Sequence, residues 1–390
     1  MAAIIRYGMV GGGMKALIGE VHRKALKFDN RVELVAGCFS SHADRNAEVG
    51  VEYGLDPARV YANYEEMAKA EAAREDGIDF VSVVTPNNTH YAVCKAFLEA
   101  GIHVVCEKPL CFTVEQAEEL EALSREKGLL FGVTYTYTGY VMSKVMKEMI
   151  AEGKIGKVVS VNAEYAQDWL LGELATGNNT QTNIAVWRTD PAVSGAANCV
   201  GDIGTHIENY VHYVTGLKIK RLIATTNKYG KALDLNANII VEYENGVNGA
   251  YWCSQVAAGH YNGLAVRVYG DKGALEWAQE DPEHLRYTPM DGATQLLARG
   301  TGCIKEKAAA QGRLPSGHPE GLVTAFANIY RNYVSALVAK KEWRRRRSVR
   351  LSPRGGWRER RALCQGRGGE RRQRLYVGRS LILLAKRQKI

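Results

Sequence analysis

A lysine, an aspartate and a histidine, far apart in the chain, are residue types that can transfer protons and stabilise charge. Lys108 stands in the motif EKP, and Asp202 and His206 stand four residues apart in GDIGTH. In a helix that spacing places Asp202 and His206 on one face. A histidine accepts a hydroxyl proton near neutral pH, and an ammonium stabilises negative charge that develops on the oxygen. An aspartate beside the histidine would orient its ring.

Each of these residues also has an ordinary structural explanation. A surface ion pair accounts for Lys108, and the preference of acids for helix N-termini accounts for Asp202. His206 alone fits a hydrogen-bonded core histidine. Taken one at a time, the three residues leave both explanations open.

A cluster of glycines near the start of the chain predicts a nucleotide-binding turn. Gly11-x-Gly13-x-x-Ala16, with Gly12 between, follows an apolar run at 3–10 and opens a helical run at 16–27. Glycines permit a tight turn and a close approach of backbone to a pyrophosphate, and the helix N-terminus supplies N–H donors. The alternative is a purely structural turn between the first strand and the first helix.

The end of the second predicted strand bears on the choice of dinucleotide. An acid there usually binds the ribose 2′-hydroxyl of NAD. This chain has Ser40 and Ser41, with Asp44 and Arg45 a turn later. Serine accepts either a hydroxyl or a phosphate, so NAD and NADP stay open, although the missing acid favours NADP on local chemistry.

Polar residues also follow two later strands of the first half. Thr85, Pro86, Asn87 and His90 lie in TPNNTH after a run at 79–85, and Glu107 precedes Lys108 after a run at 102–106. Ligands of open α/β sheets bind at the carboxyl ends of the strands. We therefore expect these segments to lie around one cleft.

The first half of the chain alternates two hydrophobic periodicities. Apolar, β-branched runs at 3–10, 32–39, 79–85, 102–106 and 129–134 alternate with amphipathic helical runs at 16–27, 88–100 and 113–127. Strands alternating with helices of 10–15 residues predict βαβ units and a parallel sheet covered on both faces.

The second half has a different character. Six strand-like runs are predicted at 158–167, 222–227, 238–243, 249–256, 264–270 and 274–278, and an Asn-Gly turn at 245–246 favours a hairpin. The prediction is an α/β protein with an N-terminal dinucleotide-binding domain over residues 1–135. A second α/β domain over 136–342, with an open and mostly antiparallel sheet, would bind substrate.

The last 48 residues differ from the rest in charge. Residues 343–390 carry 15 Arg and 2 Lys against Glu359 and Glu370, so the preceding 342 residues have a net charge of −6 within the chain total of +9. This excludes nucleic-acid binding by the main body. The tail itself suits either a solvated basic arm or a shifted reading frame in a G+C-rich gene. We favour the shifted frame and expect no evolved function for the tail.

Composition bears on whether the protein crosses a membrane and on its cellular compartment. No apolar run approaches the ~18 residues that cross a bilayer, and the start lacks a basic segment and a small-residue cleavage site. The eight cysteines form no C-x-x-C pair. We expect a cytoplasmic protein with reduced thiols and no bound metal, because no His, Cys and Asp set has ligand spacing.

Taken together, the motifs G-x-G-x-x-A, TPN-x-x-H, EKP and GD-x-G-x-H resemble those of the Gfo/Idh/MocA oxidoreductases of sugars and cyclitols. The resemblance covers residues 4–340. It implies a Rossmann domain followed by a domain whose open sheet lines the active site and mediates homo-oligomers. It also implies NAD or NADP as cofactor, in some relatives bound tightly enough to be recycled in place.

The resemblance assigns roles to individual residues. Lys108, Asp202 and His206 become the catalytic group, and a cis Lys108–Pro109 peptide is common in such enzymes. Trp187 and Arg188 resemble a W-R motif near nicotinamide and substrate. The remaining cofactor contacts expected from the motifs are Gly11, Gly12, Gly13, Ala16, Ser40, Thr85, Pro86, Asn87, His90, Glu107 and Lys108.

The substrate prediction rests on further residues. Flat rings of Tyr137 and Trp169 suit the C–H faces of a sugar, although most aromatic residues are core. His318 lies in GHPEG, which suits a loop over the pocket or a helix lead-in. Arg188, Asp202 and His206 complete the expected substrate contacts.

Three functions follow from this resemblance. The segments EYAQDWL, WRTDP, GHPEG and AFANIY resemble a subgroup in which some members oxidise C3 of glucosides. Pyranose or glucoside 3-oxidation is therefore placed first, and inositol-type cyclitol oxidation second. A dinucleotide-binding regulator without turnover is the alternative from another class, and the presence of all three catalytic residue types argues against it.

Overall fold

The computed structural model describes residues 4–14, 16–176 and 186–351 of the 390-residue chain. The predicted tail therefore lies outside the described residues from position 352 onward. No helix in the described part of the chain is both long and apolar enough to cross a membrane.

The first sheet has five parallel strands in the order β2–β1–β3–β4–β5. The strands are β1 Ile5–Gly11, β2 Val32–Cys38, β3 Phe80–Val84, β4 His103–Cys106 and β5 Phe131–Val133. Every residue of β3 and β4 is buried, as expected for central strands with both faces covered. The predicted parallel sheet is confirmed.

Helices follow the strands of this sheet as βαβ connections require. They are α1 Leu17–Lys27, α2 Ala43–Glu52, α3 Tyr64–Ala73, α4 His90–Glu99 and α5 Val114–Glu126. Thr113 and Gln116 form a reciprocal capping box at the start of α5. Short 3₁₀ turns at Pro57–Arg59 and Asn87–Thr89 precede α3 and α4.

The second sheet has eight strands in the order β13–β12–β11–β10–β6–β9–β8–β7. Among the strands of the described residues only β6 and β9 pair in parallel, so the sheet is mostly antiparallel as predicted. The strands are β6 Val158–Ala166, β7 Ile219–Asn227, β8 Asn236–Tyr243, β9 Asn248–Ser254, β10 Gly263–Gly270, β11 Gly273–Ala278, β12 Asp281–Pro289 and β13 Gln295–Ala298.

Strands β12 and β13 were missed in the sequence. Two prolines and several charges in β12 hide its alternation, and of its nine residues only Leu285 is fully buried. The edge strand is β13, which pairs with His284–Tyr287 of β12, so Pro282 and Pro289 stand outside that pairing, where prolines are tolerated.

Helices cover one face of the second sheet. Its core joins inward residues of the strands to α6 Val141–Ala151 and α9 Thr205–Thr215. Shorter helices are α7 Leu171–Thr176, α8 Pro191–Ser194 and α10 Glu306–Ala309, and 3₁₀ turns lie at Thr136–Gly139 and Val186–Thr189. A π-helical turn, Val200–Gly204, leads directly into α9.

The last helix, α11 Leu322–Leu351, returns to the first sheet. Its buried Phe326, Tyr330, Val334 and Leu337 form one hydrophobic core with residues of β1 and α1. The sequence had assigned this stretch to the second domain, but its side chains pack in the first. The predicted domain limits at 135 and 342 stay predictions.

Candidate active site

The predicted glycine turn joins β1 to α1 in strained backbone that glycine alone tolerates. Gly11 has φ 82°, and a Cβ there would lie 2.8 Å from the carbonyl oxygen of Val84. Gly12 has φ 70° and packs against α1, because a Cβ on Gly19 would approach the Gly12 Cα to 2.4 Å. The turn thus brings the start of α1 against the ends of β1 and β3.

This arrangement fits the pyrophosphate of a dinucleotide. Ala16 is the N-cap of α1, with no side-chain hydrogen bond to the first turn, and its N–H donates to the Gly13 carbonyl at 3.1 Å. The free N–H groups of a helix N-terminus form an anion site. Ser40, two residues beyond β2, accepts a hydrogen bond from the His42 N–H at 3.1 Å, and its hydroxyl proton stays available to a ligand.

The predicted TPN-x-x-H and EKP segments meet at the adjacent strand ends. The buried ring of His90 contacts the Thr85 carbonyl through Nε2 and the Pro109 carbonyl through Nδ1, both at 2.8 Å. Thr89 donates to the Thr85 hydroxyl at 2.7 Å. The Lys108–Pro109 peptide is cis. His90 therefore links two loops rather than facing a cofactor with a free ring nitrogen.

Pro86 and Asn87 lie between these contacts. Pro86 is the N-cap of the 3₁₀ turn Asn87–Thr89, which runs into α4. The side chain of Asn87 is half-buried. The turn leaves an amide at the edge of the cleft, where a ribose or nicotinamide would lie.

A closed group of buried side chains surrounds Glu107; we call it the Glu107 cluster. Glu107 accepts hydrogen bonds from His22 Nε2 at 2.8 Å and from the Thr134 hydroxyl. His22 Nδ1 lies 2.6 Å from the Tyr330 hydroxyl and 3.2 Å from that of Ser82. Burial alone would raise the pKa of Glu107, but the hydrogen bond and charge of His22 and the Lys108 ammonium lower it to about 2.

The next residue belongs to an open group, the Lys108 cluster, formed by Lys108, Arg188, Asp202 and His206. The Lys108 ammonium donates to Asp202 Oδ1 at 2.7 Å and to the Asp202 carbonyl at 3.1 Å. Arg188 Nε lies 3.7 Å from Asp202 Oδ2. Burial would raise the pKa of Asp202, but the charges of Lys108 and Arg188 hold it well below its usual range.

His206 lies beside this pair against three tyrosine rings. The ring centroids of Tyr135, Tyr137 and Tyr165 are 5.6, 4.7 and 5.8 Å from that of His206. Burial and the Lys108 charge lower the pKa of His206 well below its ordinary value, against the opposing effect of Asp202. The imidazole is therefore neutral near pH 7, the state that accepts a proton.

One detail of the sequence interpretation is wrong. Asp202 was expected to orient the His206 ring, but its carboxylate hydrogen-bonds to Lys108 and Gln255. Within the described residues neither ring nitrogen of His206 has a hydrogen-bond partner. The π-helical turn at Val200–Gly204 explains this, because it departs from the α-helical geometry that the four-residue spacing assumed.

Tyr137 was predicted to contact substrate, and it borders His206 directly. Its hydroxyl contacts that of Tyr165 and accepts from Asn262 Nδ2 at 3.2 Å. Burial raises the pKa of Tyr137 to about 12, so it stays protonated. Tyr137 thus forms a wall of the site through a fixed ring and hydroxyl.

The other predicted contacts lie at different distances from this centre. Arg188 stacks over the Trp187 ring, with 4.7 Å from Cζ to the ring centroid. Because Arg188 also pairs with Asp202, it connects Trp187 to the Lys108 cluster. Trp169 is half-buried in the turn between β6 and α7. His318 is exposed, with Nδ1 3.3 Å from the Ser316 carbonyl. Among the described contacts none joins Trp169 or His318 to the Lys108 cluster.

Several site residues were not found in the sequence. His22 sits on the buried face of α1 with Val21 and Ala25, so its place in the helical pattern was a usable signal. Tyr330 is 308 residues from its partner His22, and Gln255 follows β9 without a motif of its own. No local pattern marks these residues as partners.

Comparison with known proteins decides the family. Residues 5–135 match the oxidoreductase family with the NAD-binding Rossmann fold, and residues 144–276 match the GFO/IDH/MocA C-terminal domain. The chain belongs to the Gfo/Idh/MocA oxidoreductase family. The resemblance drawn from the motifs is confirmed, and so is the assignment to the oxidoreductases.

Three relatives illustrate the range within this family. The oxidoreductase YfiI of Bacillus subtilis is 39% identical over 86% of each chain. An inositol dehydrogenase homolog from Azotobacter vinelandii, solved with NAD+, is 39% identical with TM-score 0.83 over 88% of each chain. The same homolog was solved with NADH and myo-inositol. D-glucoside 3-dehydrogenase of Escherichia coli is 28% identical over 54% of each chain.

Proposed function

We propose that the protein oxidises a ring secondary hydroxyl of a cyclitol or sugar, with NAD as hydride acceptor. The observation that carries this proposal is the Lys108 cluster, in which an ammonium, a carboxylate and a neutral imidazole meet, with Lys108 at the same end of the parallel sheet as the glycine turn. These are the groups that removal of a hydroxyl proton and stabilisation of the resulting oxygen require.

In this proposal each residue of the cluster has a separate task. The neutral ring of His206 accepts the hydroxyl proton, since its lowered pKa keeps a nitrogen lone pair free at pH 7. The Lys108 ammonium donates a hydrogen bond to the same oxygen and stabilises its developing charge. Asp202 holds the ammonium in place from 2.7 Å.

The residues at the strand ends suit NAD. Gly11, Gly12, Gly13 and the N-terminus of α1 would hold the pyrophosphate, because the positive φ of Gly11 and Gly12 makes the tight turn that leads from β1 to the N–H groups at the start of α1. Ser40 would meet the adenosine ribose, and Thr85 and Asn87 the nicotinamide half. When bound, NAD supplies a nicotinamide C4 that accepts the hydride.

For the substrate, the comparisons give more support to the cyclitol than to the glucoside. The inositol dehydrogenase homolog matches 88% of this chain at 39% identity, whereas the D-glucoside 3-dehydrogenase matches 54% at 28%. We therefore place myo-inositol first and glucoside C3 second, the reverse of the order that the motifs suggested.

The test is direct. The purified protein is heated, and any released dinucleotide is identified by mass spectrometry. The protein is then incubated with NAD or NADP and with myo-inositol, D-glucose or methyl β-D-glucoside, and absorbance at 340 nm is followed. Reduction of NAD with a matching keto product by mass analysis is the expected result.

Mass analysis of the sugars also covers a cofactor that is recycled in place, which gives no net absorbance change. Dinucleotide binding without any keto product from the panel would favour the non-catalytic regulator. Preferential reduction of NADP would contradict the cofactor assignment while leaving the reaction class intact.

We also infer that copies of the chain associate through the uncovered face of the second sheet. Ile223 and Ile240 are opposite each other on β7 and β8 and are 71% and 54% exposed. Large exposed apolar residues side by side on a sheet mark an interaction surface. Light scattering should show that the wild type is an oligomer and that Ile240→Lys dissociates it. Lys220→Gln, at the same sheet edge, is the control and should leave the oligomer intact. A monomeric wild type would contradict this inference.

A further inference from the structure

Two buried amides lie behind Asp202, on the side away from Lys108. Gln255 Nε2 donates to Asp202 Oδ2 at 3.1 Å, and Gln255 Oε1 accepts from Asn198 Nδ2 at 2.7 Å. Gln255 is 0% exposed and Asn198 is 1% exposed. The three side chains form a line of hydrogen bonds that ends at the carboxylate.

The backbone around these amides is also held. The Asn198 N–H donates to Asp234 Oδ1 at 2.8 Å, and the Asn198 carbonyl accepts the Asp202 N–H at 2.7 Å. The Gln255 N–H donates to the Leu235 carbonyl at 2.9 Å. Neither amide can therefore shift far from the carboxylate.

The Asp202 carboxylate decides which way both amide groups are oriented. An ionised aspartate only accepts hydrogen bonds, so Gln255 must turn its NH₂ toward Asp202 and its oxygen toward Asn198. Asn198 must then present its NH₂ to Gln255. Its own Oδ1 is left buried without a hydrogen bond among the described residues, and such unpaired acceptors are rare because they are unfavourable.

We propose that the Asn198–Gln255 amide pair is a positioning device that fixes the rotation of the Asp202 carboxylate, so that Oδ1 faces the Lys108 ammonium. One oxygen is bound from behind by Gln255, which leaves the other oxygen for Lys108 at 2.7 Å. Because the order of donors and acceptors along this line is fixed, the Asn198 Oδ1 is left without a hydrogen-bond donor among the described residues. The inference rests on the proposed function, since it gives Gln255 a role through Asp202.

The test uses two replacements of Gln255 in the full-length protein. Gln255→Met removes the donor at similar volume, and we expect kcat to fall about 10-fold or more while KM for the sugar changes little, because Gln255 does not touch substrate. Gln255→Glu keeps the shape but donates to Asp202 only when its carboxyl is protonated. Its neighbour Asp202 favours that protonated form.

The two variants should therefore differ in their dependence on pH. The kcat of Gln255→Glu, divided by that of the wild type, should rise as pH falls from 9 to 6, whereas the same ratio for Gln255→Met should stay low and flat. Gln295→Glu, the same change on the exposed edge strand β13, should give a ratio near one throughout. Equal losses at every pH in both Gln255 variants, or no loss in either, would overturn the inference.

A second measurement needs no substrate. Acetic anhydride labels lysines in proportion to their uncharged, accessible fraction, and mass spectrometry reads the rate at each site. Loss of a fixed carboxylate should make Lys108 react several-fold faster in Gln255→Met than in the wild type, with the exposed Lys154 unchanged. An unchanged Lys108 rate would contradict the positioning role.

The two proposals can fail separately. If Lys108→Ala still oxidises the sugar at the wild-type rate, the proposed function fails. If Lys108→Ala is inactive while Gln255→Met and Gln255→Glu match the wild type, only the positioning role fails. If the wild type oxidises no sugar, the Lys108 labelling rate still decides whether Gln255 holds Asp202.

Discussion

Glu107 and Lys108 are neighbours in the chain but belong to two clusters with opposite character. In the Glu107 cluster the side chains of His22, Ser82, Thr134 and Tyr330 are buried and hydrogen-bonded to one another or to Glu107. In the Lys108 cluster the Lys108 and Asp202 side chains keep 15% and 18% of their surface exposed, and His206 has no hydrogen bond within the described residues. One cluster is closed and the other is open.

The difference is what the role proposed for the Lys108 cluster requires. A buried polar group is unfavourable unless hydrogen bonds replace its water, so a cluster that only supports the fold satisfies its own groups. A cluster that binds substrate needs donors and acceptors that are still free. The peptide between Glu107 and Lys108 thus joins a closed, hydrogen-bonded cluster to the proposed active site.

A third buried acid, Glu208, shows what burial does to a carboxyl that has no such partners among the described residues. Glu208 on α9 is 4% exposed, and its Oε2 has no hydrogen bond in the described part of the chain. Burial raises its pKa to about 7, whereas the partners of Glu107 bring that carboxyl to about 2. These two buried carboxyls therefore differ because Glu107 has hydrogen bonds and nearby cations that offset the effect of burial on its pKa, and Glu208, within the described residues, does not.

The largest expected effect is the loss of Lys108 from the open cluster. Lys108→Ala should lower kcat for sugar oxidation on the order of 10³-fold, because the developing oxygen charge loses its ammonium partner. The Kd of NADH, from fluorescence titration, should change by no more than a few-fold. Near-normal turnover would remove Lys108 from the catalytic group.

The next effect concerns the unpartnered acid. The pKa of Glu208 in the folded protein lies above that of an unfolded glutamate, so the folded state binds more protons between pH ~4.5 and ~7. The contribution of Glu208 to the free energy of unfolding is fully present below pH ~4.5. It is lost, by about 3 kcal/mol, as pH rises from there to ~7. Glu208→Gln should remove this decline in the free energy of unfolding.

Urea unfolding at pH 5 and pH 8 measures the change. Glu48→Gln, on the exposed surface of α2, is the matched control and should keep the wild-type difference between the two pH values. The same decline in Glu208→Gln as in the wild type would show that Glu208 is not the group responsible.

A smaller effect is expected from the closed cluster. Tyr330→Phe removes the hydroxyl that contacts His22 and Ser82 and should lower the free energy of unfolding by about 1–3 kcal/mol. The kcat should stay within a few-fold of the wild type, because Tyr330 does not reach the Lys108 cluster. The exposed Tyr229→Phe serves as control. A loss of kcat comparable with that of Lys108→Ala would erase the distinction between the two clusters.

The smallest effect lies in the pH profile of the open cluster. Burial and the Lys108 charge lower the pKa of His206, so the base stays unprotonated below pH 6.5, where an ordinary histidine is half protonated. The kcat/KM for oxidation should therefore fall by less than twofold between pH 7.5 and 6.0, where an ordinary histidine would give a fall of about fourfold. An acid limb centred at or above pH 6.5 would contradict a buried His206 as the base.

Much of the fold could be predicted because its signals are local. Alternating strand and helix periods predicted the parallel sheet, and β-rich runs with an Asn-Gly turn predicted the second sheet. The strands β12 and β13 at one end of the second sheet and the return of α11 to the first sheet were missed, since their positions depend on distant partners. The Asp202–His206 relation was predicted from α-helical spacing, and the π-helical turn altered it.

The sequence by itself determined the family, the two kinds of sheet and the motifs that carry Lys108, Asp202 and His206, because each depends on residue types at short, regular spacings. Only the tertiary structure decided which polar groups are satisfied and which stay open. His22 meets Tyr330 across 308 residues and Lys108 meets Asp202 across 94. Hydrogen bonding and burial act through space, so the charge of each group depends on neighbours that no local sequence pattern identifies.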